Sequence, residues 1–178
     1  GRIDLSKSHN FLILELRDSQ QVSRRKKEPE KKPDKSFELE LWTWNEMEVP
    51  TLQRDGRYRQ DKSVTYIYDI FSKKLTEVAP FTVDLLLPSG AENLNYVLYT
   101  DESPYKMQRE WLDRLPFDIY SVNVHTGAKR LIGRSYRTAP KWSVNGKWAV
   151  MYDPIAQVWN KFDGATGKVV NISDAIGY

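Results

Sequence analysis

The sequence predicts an all-β chain made of three four-stranded antiparallel units. Three observations predict it: one hairpin is written twice about forty residues apart, a second hairpin type alternates with it, and apolar residues return at period two between turn residues. Ser121 to Ile132 reads SVNVHTGAKRLI, and Phe162 to Ile172 reads FDGATGKVVNI. A third copy appears once Asp69, Asn123 and Asp163 are taken as anchors. Tyr68, Val122 and Phe162 stand one residue before them, and Val78, Ile132 and Ile172 stand nine after. Between lie Ser72-Lys73, Thr126-Gly127 and Thr166-Gly167. An Asp or Asn before a tight turn bonds the backbone two residues on, and Gly supplies the left-handed geometry without steric cost.

The other hairpin type opens the chain. Leu5 to Leu16, LSKSHNFLILEL, lies without a gap on Trp142 to Asp153, WSVNGKWAVMYD, so that Ser6 meets Ser143 and Phe11 meets Trp148. Asn145-Gly146 between two apolar runs predicts a type I′ turn, with positive φ at both residues. The middle copy keeps its second strand, Tyr96 to Asp101, and enlarges the turn to PSGAENLN. The two types alternate to give units over about 3–79, 80–134 and 138–173, a spacing of roughly 40 to 55 residues that matches a β-propeller blade. A partial β-propeller of about three blades is therefore the expected fold.

Two units carry inserts between their second and third strands. In the middle unit Glu102 to Pro116, ESPYKMQREWLDRLP, spaces Met107, Trp111 and Leu115 at helical intervals and predicts a short helical or irregular loop. In the first unit the insert opens with a charged stretch over about 17–36, including RRKKEPEKKPDK, which has too little apolar surface to order itself. Phe37 to Asn45, FELELWTWN, then alternates like a strand. Closed propellers hold about four to eight blades, so three leave two blade faces without a neighbour. The chain is expected to be part of a larger protein and, alone, to self-associate through those faces.

Composition narrows the function. The 178 residues carry 40% hydrophobic and 12% aromatic side chains, enough for a real core. No cysteine means no thiolate catalysis, disulfide or Cys-based metal centre in the chain. The formal net charge of +3 gives weak support for a nucleic-acid partner; the basic tract Arg24 to Lys35 is interrupted by Glu28, Glu30 and Asp34 and reads as a solvated loop. No apolar run reaches the roughly 18 to 20 residues of a membrane span, and no signal-peptide order opens the chain. The two histidines, His9 and His125, fall at turns. GATGK, Gly164 to Lys168, lacks the first Gly and the final Ser or Thr of a phosphate loop, and no calcium loop or zinc pattern occurs. No cofactor, metal or catalytic residue is expected.

The turn signatures W-S-x-N-G-K-W (Trp142 to Trp148) and D-x-x-T-G-K (Asp163 to Lys168) resemble the WD40-like, TolB-type blades of larger propellers. The order LELRD, LWTWNEMEVPTLQ, YIYDIFSKKLTEVA, YVLYTDESPY resembles the amino-terminal propeller of bacterial prolyl oligopeptidase-family (S9-like) serine peptidases across nearly the whole chain. The resemblance implies a propeller that gates peptide substrates for a separate hydrolase domain, with the remaining blades and that domain as partners and a periplasmic or exported parent. None of that family's catalytic chemistry is here: a nucleophile elbow needs G-x-S-x-G, and the nearest approach, Gly133-Arg-Ser135-Tyr-Arg137, lacks the last Gly and is expected between blades. A stand-alone scaffold binding proteins or glycans is the other reading. The candidate ligand or partner surface is Trp42, Trp44, Trp111 and Trp159, whereas Trp142 and Trp148 lie in the repeat register and are expected to pack.

Overall fold

The computed structural model describes residues 2–6, 9–17, 63–80, 83–88, 95–109 and 111–173. Phe37 to Asn45 and the tract Arg24 to Lys35 lie outside them. Among the described residues twelve strands form three four-stranded sheets, each wholly antiparallel and each in chain order. The first sheet is β1 (Arg2–Leu5), β2 (Phe11–Arg17), β3 (Ser63–Asp69) and β4 (Lys74–Ala79); the middle sheet is β5 (Asp84–Leu86), β6 (Tyr96–Asp101), β7 (Phe117–Asn123) and β8 (Lys129–Tyr136). The third is β9 (Lys141–Trp142), β10 (Trp148–Asp153), β11 (Val158–Asp163) and β12 (Val169–Asn171). This is the partial propeller expected of the repeat: three successive meanders, with the middle one packed on both sides.

Period-two alternation explains that packing. On β6, Val97 and Tyr99 join Phe11, Ile67, Val78 and Ala79 of the first sheet, while Leu98 between them joins Ala149, Met151 and Phe162 of the third. On β7, Val122 turns to the first sheet and Ile119 to the third. Adjacent residues of a strand point to opposite faces, so a continuous apolar run such as YVLY serves two neighbours at once. Each fully buried aliphatic side chain contributes roughly 1.5–3 kcal/mol. Tyr99 and Tyr120 stack in the first seam with ring centroids 5.0 Å apart, and Trp142 and Phe162 meet edge to face at 5.8 Å in the second.

Main-chain carbonyls tie the sheets together at one end. The Lys74 ammonium donates to the carbonyl of His125, and Arg130 donates to that of Gly167 at 2.5 Å. Both acceptors sit in turns built by one device. Oδ1 of Asp69 accepts from Phe71 and Ser72, Oδ1 of Asn123 from His125 and Thr126, and Oδ1 of Asp163 from Ala165 and Thr166. Asp153 repeats it between β10 and β11, accepting from Ile155 and Ala156. Four residues after each acceptor the chain is left-handed: Lys73 (φ 54), Gly127 (φ 75), Gln157 (φ 56) and Gly167 (φ 70).

The other hairpin corrects one expectation. Gly146 is left-handed (φ 67), but Asn145 is absent from the positive-φ residues, so the turn is not type I′. The Gly146 N–H instead closes on the Ser143 carbonyl at 2.9 Å, and Oδ1 of Asn145 accepts from the Lys147 N–H. Holding that oxygen over the backbone satisfies Asn145 without a second positive φ. In the first sheet the equivalent contact runs from His9 N–H to the Ser6 carbonyl, and His9 takes the glycine's conformation (φ 56). The segment Gly133 to Tyr136 is also not between blades. It is the end of β8, bulged against β7 where Phe117 pairs with Tyr136 and Ile119 with Gly133. A third correction concerns Trp148, which is 39% exposed: it sits on the side of the third sheet that no described sheet covers.

The turns make two predictions. Lys73→Gly relieves a left-handed side chain and should raise stability by about 1 kcal/mol, while Gly167→Ala should lower it by about 2 kcal/mol, both read from denaturant midpoints. The second loss has a steric cause as well, since a Cβ at Gly167 would lie 2.8 Å from the Tyr96 ring. The backbone N–H and hydroxyl of Thr166, joined by the Ala165 N–H, hold the Asp163 carboxyl below its ordinary 3.8. Stability from a carboxylate depressed in the folded state is complete above the ordinary value and is lost as pH falls through and below it. Asp163→Asn keeps the acceptor, as Asn123 does, so neutral stability should hold while the acid limb of the stability profile flattens.

Candidate recognition surface

The carbonyl ties place the turns after β3, β7 and β11 side by side, so the opposite ends of the sheets share the other side of the molecule. That side receives the equivalent second-to-third strand connections of the other two sheets, 102–116 from the middle sheet, which is the insert, and 154–157 from the third. Loops set on a rigid sheet are where recognition residues concentrate.

The middle connection is the best defined. Asp101 starts it, its Oδ1 accepting from the Ser103 N–H at 2.8 Å, and a 3₁₀ helix follows over Ser103–Gln108. Proline at the first turn supplies the fixed φ a helix start accepts without losing a needed donor. The Tyr105 hydroxyl then donates to Asp118 Oδ1 at 2.6 Å, and the same oxygen accepts from the Ser135 N–H at 3.1 Å. Asp118 is buried on β7, and Ser135 (φ 56) is the left-handed residue of the β8 bulge. One carboxylate thus holds the loop to the sheet and the bulge in its shape. At the loop's other end Leu115 is buried. Between these anchors Trp111 stands 70% exposed, and Met107, four residues before it, is exposed as well.

Burial pushes the Tyr105 hydroxyl above its ordinary 10.0, and its hydrogen bond to Asp118 and that residue's charge push the same way. Burial likewise raises Tyr136, whose hydroxyl accepts from the Asn160 amide at 3.5 Å, and burial first, with Tyr120 beside it, drives Tyr99 to about 12. These phenols are structural links between elements.

The four tryptophans named from sequence fare differently. Trp42 and Trp44 lie outside the described residues. Trp111 is on the anchored loop, and Trp159 is on the uncovered face of the third sheet, its ring 5.3 Å from Tyr152 and 47% exposed. Trp159 stands four residues before its anchor, where the middle sheet has the fully buried Ile119. Trp159 thus holds the register position of a packing residue in the middle sheet, while both it and Trp111 are exposed. Sequence reasoning missed Asp118, Tyr105 and Ser135. An aspartate inside the apolar run FDIYSV was the available signal.

His125 Nε2 lies 3.2 Å from Asn95 Oδ1 and its ring packs 6.3 Å from Phe11. Among the described residues no group of His, Asp and Glu side chains is placed to hold a metal, and no helix is long and apolar enough to cross a membrane.

No family model matches the chain, and no curated protein matches it. Among solved structures it is similar to the crystal structure of TolB from Acinetobacter baumannii, at 17% sequence identity and a TM-score of 0.34. That match covers 65% of this chain and 28% of the other, so the chain spans well under a third of the structure it resembles.

The Tyr105 link predicts a measurable titration. In the difference absorbance between the wild type and Tyr105→Phe, the phenol should ionise above 10, and Asp118→Asn should bring it back down by removing the carboxylate's charge. Because the folded value is raised, the loop's attachment is complete below the ordinary tyrosine value and weakens as pH rises past it.

Proposed function

We propose that this chain is the non-catalytic, partner-recognising portion of a β-propeller, and that its partner is a peptide or an extended protein segment met at the loop side of the sheets. The observation that carries the reading is Trp111, a large aromatic held in solvent on a loop fastened by Tyr105, Asp118 and Leu115. A rigid aromatic anchor loses little conformational freedom on binding, which is why such residues dominate recognition surfaces. The finer reading is that the propeller screens peptides for a hydrolase domain of the prolyl oligopeptidase kind; the order of strand motifs in the sequence supports it. The parent reading frame distinguishes that reading from a stand-alone scaffold: more blades followed by G-x-S-x-G with later Asp and His favour the first.

Two measurements test the proposal. Peptides selected from a random phage-displayed library should bind the chain and lose on the order of 10-fold or more in affinity with Trp111→Ala. Selection of no peptide, or unchanged binding by the variant, overturns the reading. The chain should hydrolyse neither peptides nor activated esters, and turnover that persists through repurification would refute a non-catalytic role.

A further inference from the structure

Both seams in this molecule join the same two kinds of face. The trailing face of one sheet, on which Phe11 of β2 and Tyr96 of β6 occupy equivalent register positions, packs on the leading face of the next, on which Val122 of β7 and Phe162 of β11 are equivalent. No seam among the described residues joins two leading or two trailing faces. Among the described residues this leaves one face of each kind uncovered, the leading face of the first sheet and the trailing face of the third.

Exposure at equivalent positions shows it. On the leading side Val122 and Phe162 are fully buried, whereas Tyr68, their counterpart in the first sheet, is only half-buried; Val124 is 3% exposed against 38% for its counterpart Ile70. On the trailing side Phe11 is 6% exposed against 39% for Trp148. Lys168 stands five residues after Asp163, as Lys74 stands five after Asp69, and the position that His125 holds in the middle sheet is held in the first by Phe71, which is exposed.

We propose that two copies of this chain close head to tail, the trailing face of each third sheet packing on the leading face of the other copy's first sheet. Two identical seams then complete a ring of six sheets, inside the range of about four to eight for closed propellers. Such a contact joins different patches on the two subunits and stays finite only because the rotation closes.

Sedimentation velocity on the full chain tests this with one variant per face. Leu5→Glu charges the leading face and Trp159→Glu the trailing face; both side chains are exposed in the single chain, and circular dichroism checks that each variant folds. The wild type should be a dimer at concentrations on the order of 10 µM. Each variant alone should associate at least ~10-fold more weakly, and an equimolar mixture of the two should recover association, because it restores one intact seam. A monomer at high concentration overturns the proposal. Growth into ever larger species overturns closure, and failure of the mixture to recover overturns head-to-tail pairing.

Discussion

The structure depends on the two-sided burial of the middle sheet. Val97 and Leu98 are neighbours in sequence, both fully buried, and they belong to different cores. Among the described residues neither outer sheet has a second covered face, so both are ordered against this one. A polar residue at either position would open one seam and leave the other in place. Ser121 illustrates the tolerance limit: it is buried on β7, and its hydroxyl finds the Arg130 carbonyl at 3.4 Å. A buried hydroxyl is acceptable where it has a partner and costly where it does not.

Much of this was legible in the residues. Period-two runs, the aligned anchors Asp69, Asn123 and Asp163, and the Thr-Gly pairs fixed the strand order and the turn positions, because each reflects a local requirement of backbone geometry. The choice of turn at Asn145 was not legible. Asn-Gly suits a type I′ turn in isolation, but the side-chain oxygen found a main-chain donor and the glycine alone took the left-handed position. Trp148 was misjudged for a different reason. Its repeat register correctly marks a stacking position, yet register says nothing about whether a neighbour is present.

The candidate surface was legible only in part. The helical spacing of Met107, Trp111 and Leu115 foretold a short helix, but not that Leu115 is buried while Met107 and Trp111 are exposed. Nor did it show the fastening of the loop, since Tyr105, Asp118 and Ser135 are far apart in sequence and meet only because a bulge on β8 turns a backbone N–H toward β7. For Trp159, counting back from Asp163 gives the place that Ile119 holds in the middle sheet, a correspondence the residue type alone does not show.

The ties between sheets carry an asymmetry. Lys74 and Arg130 contribute side chains, whereas their partners at 125 and 167 contribute only peptide oxygens, which every amino acid possesses. The accepting side of a tie therefore asks only for the backbone path, which at 167 needs the left-handed geometry and the missing Cβ of glycine. A blade receiving such a tie can be duplicated or exchanged without a matching change in its neighbour, which suits a fold assembled by copying one unit.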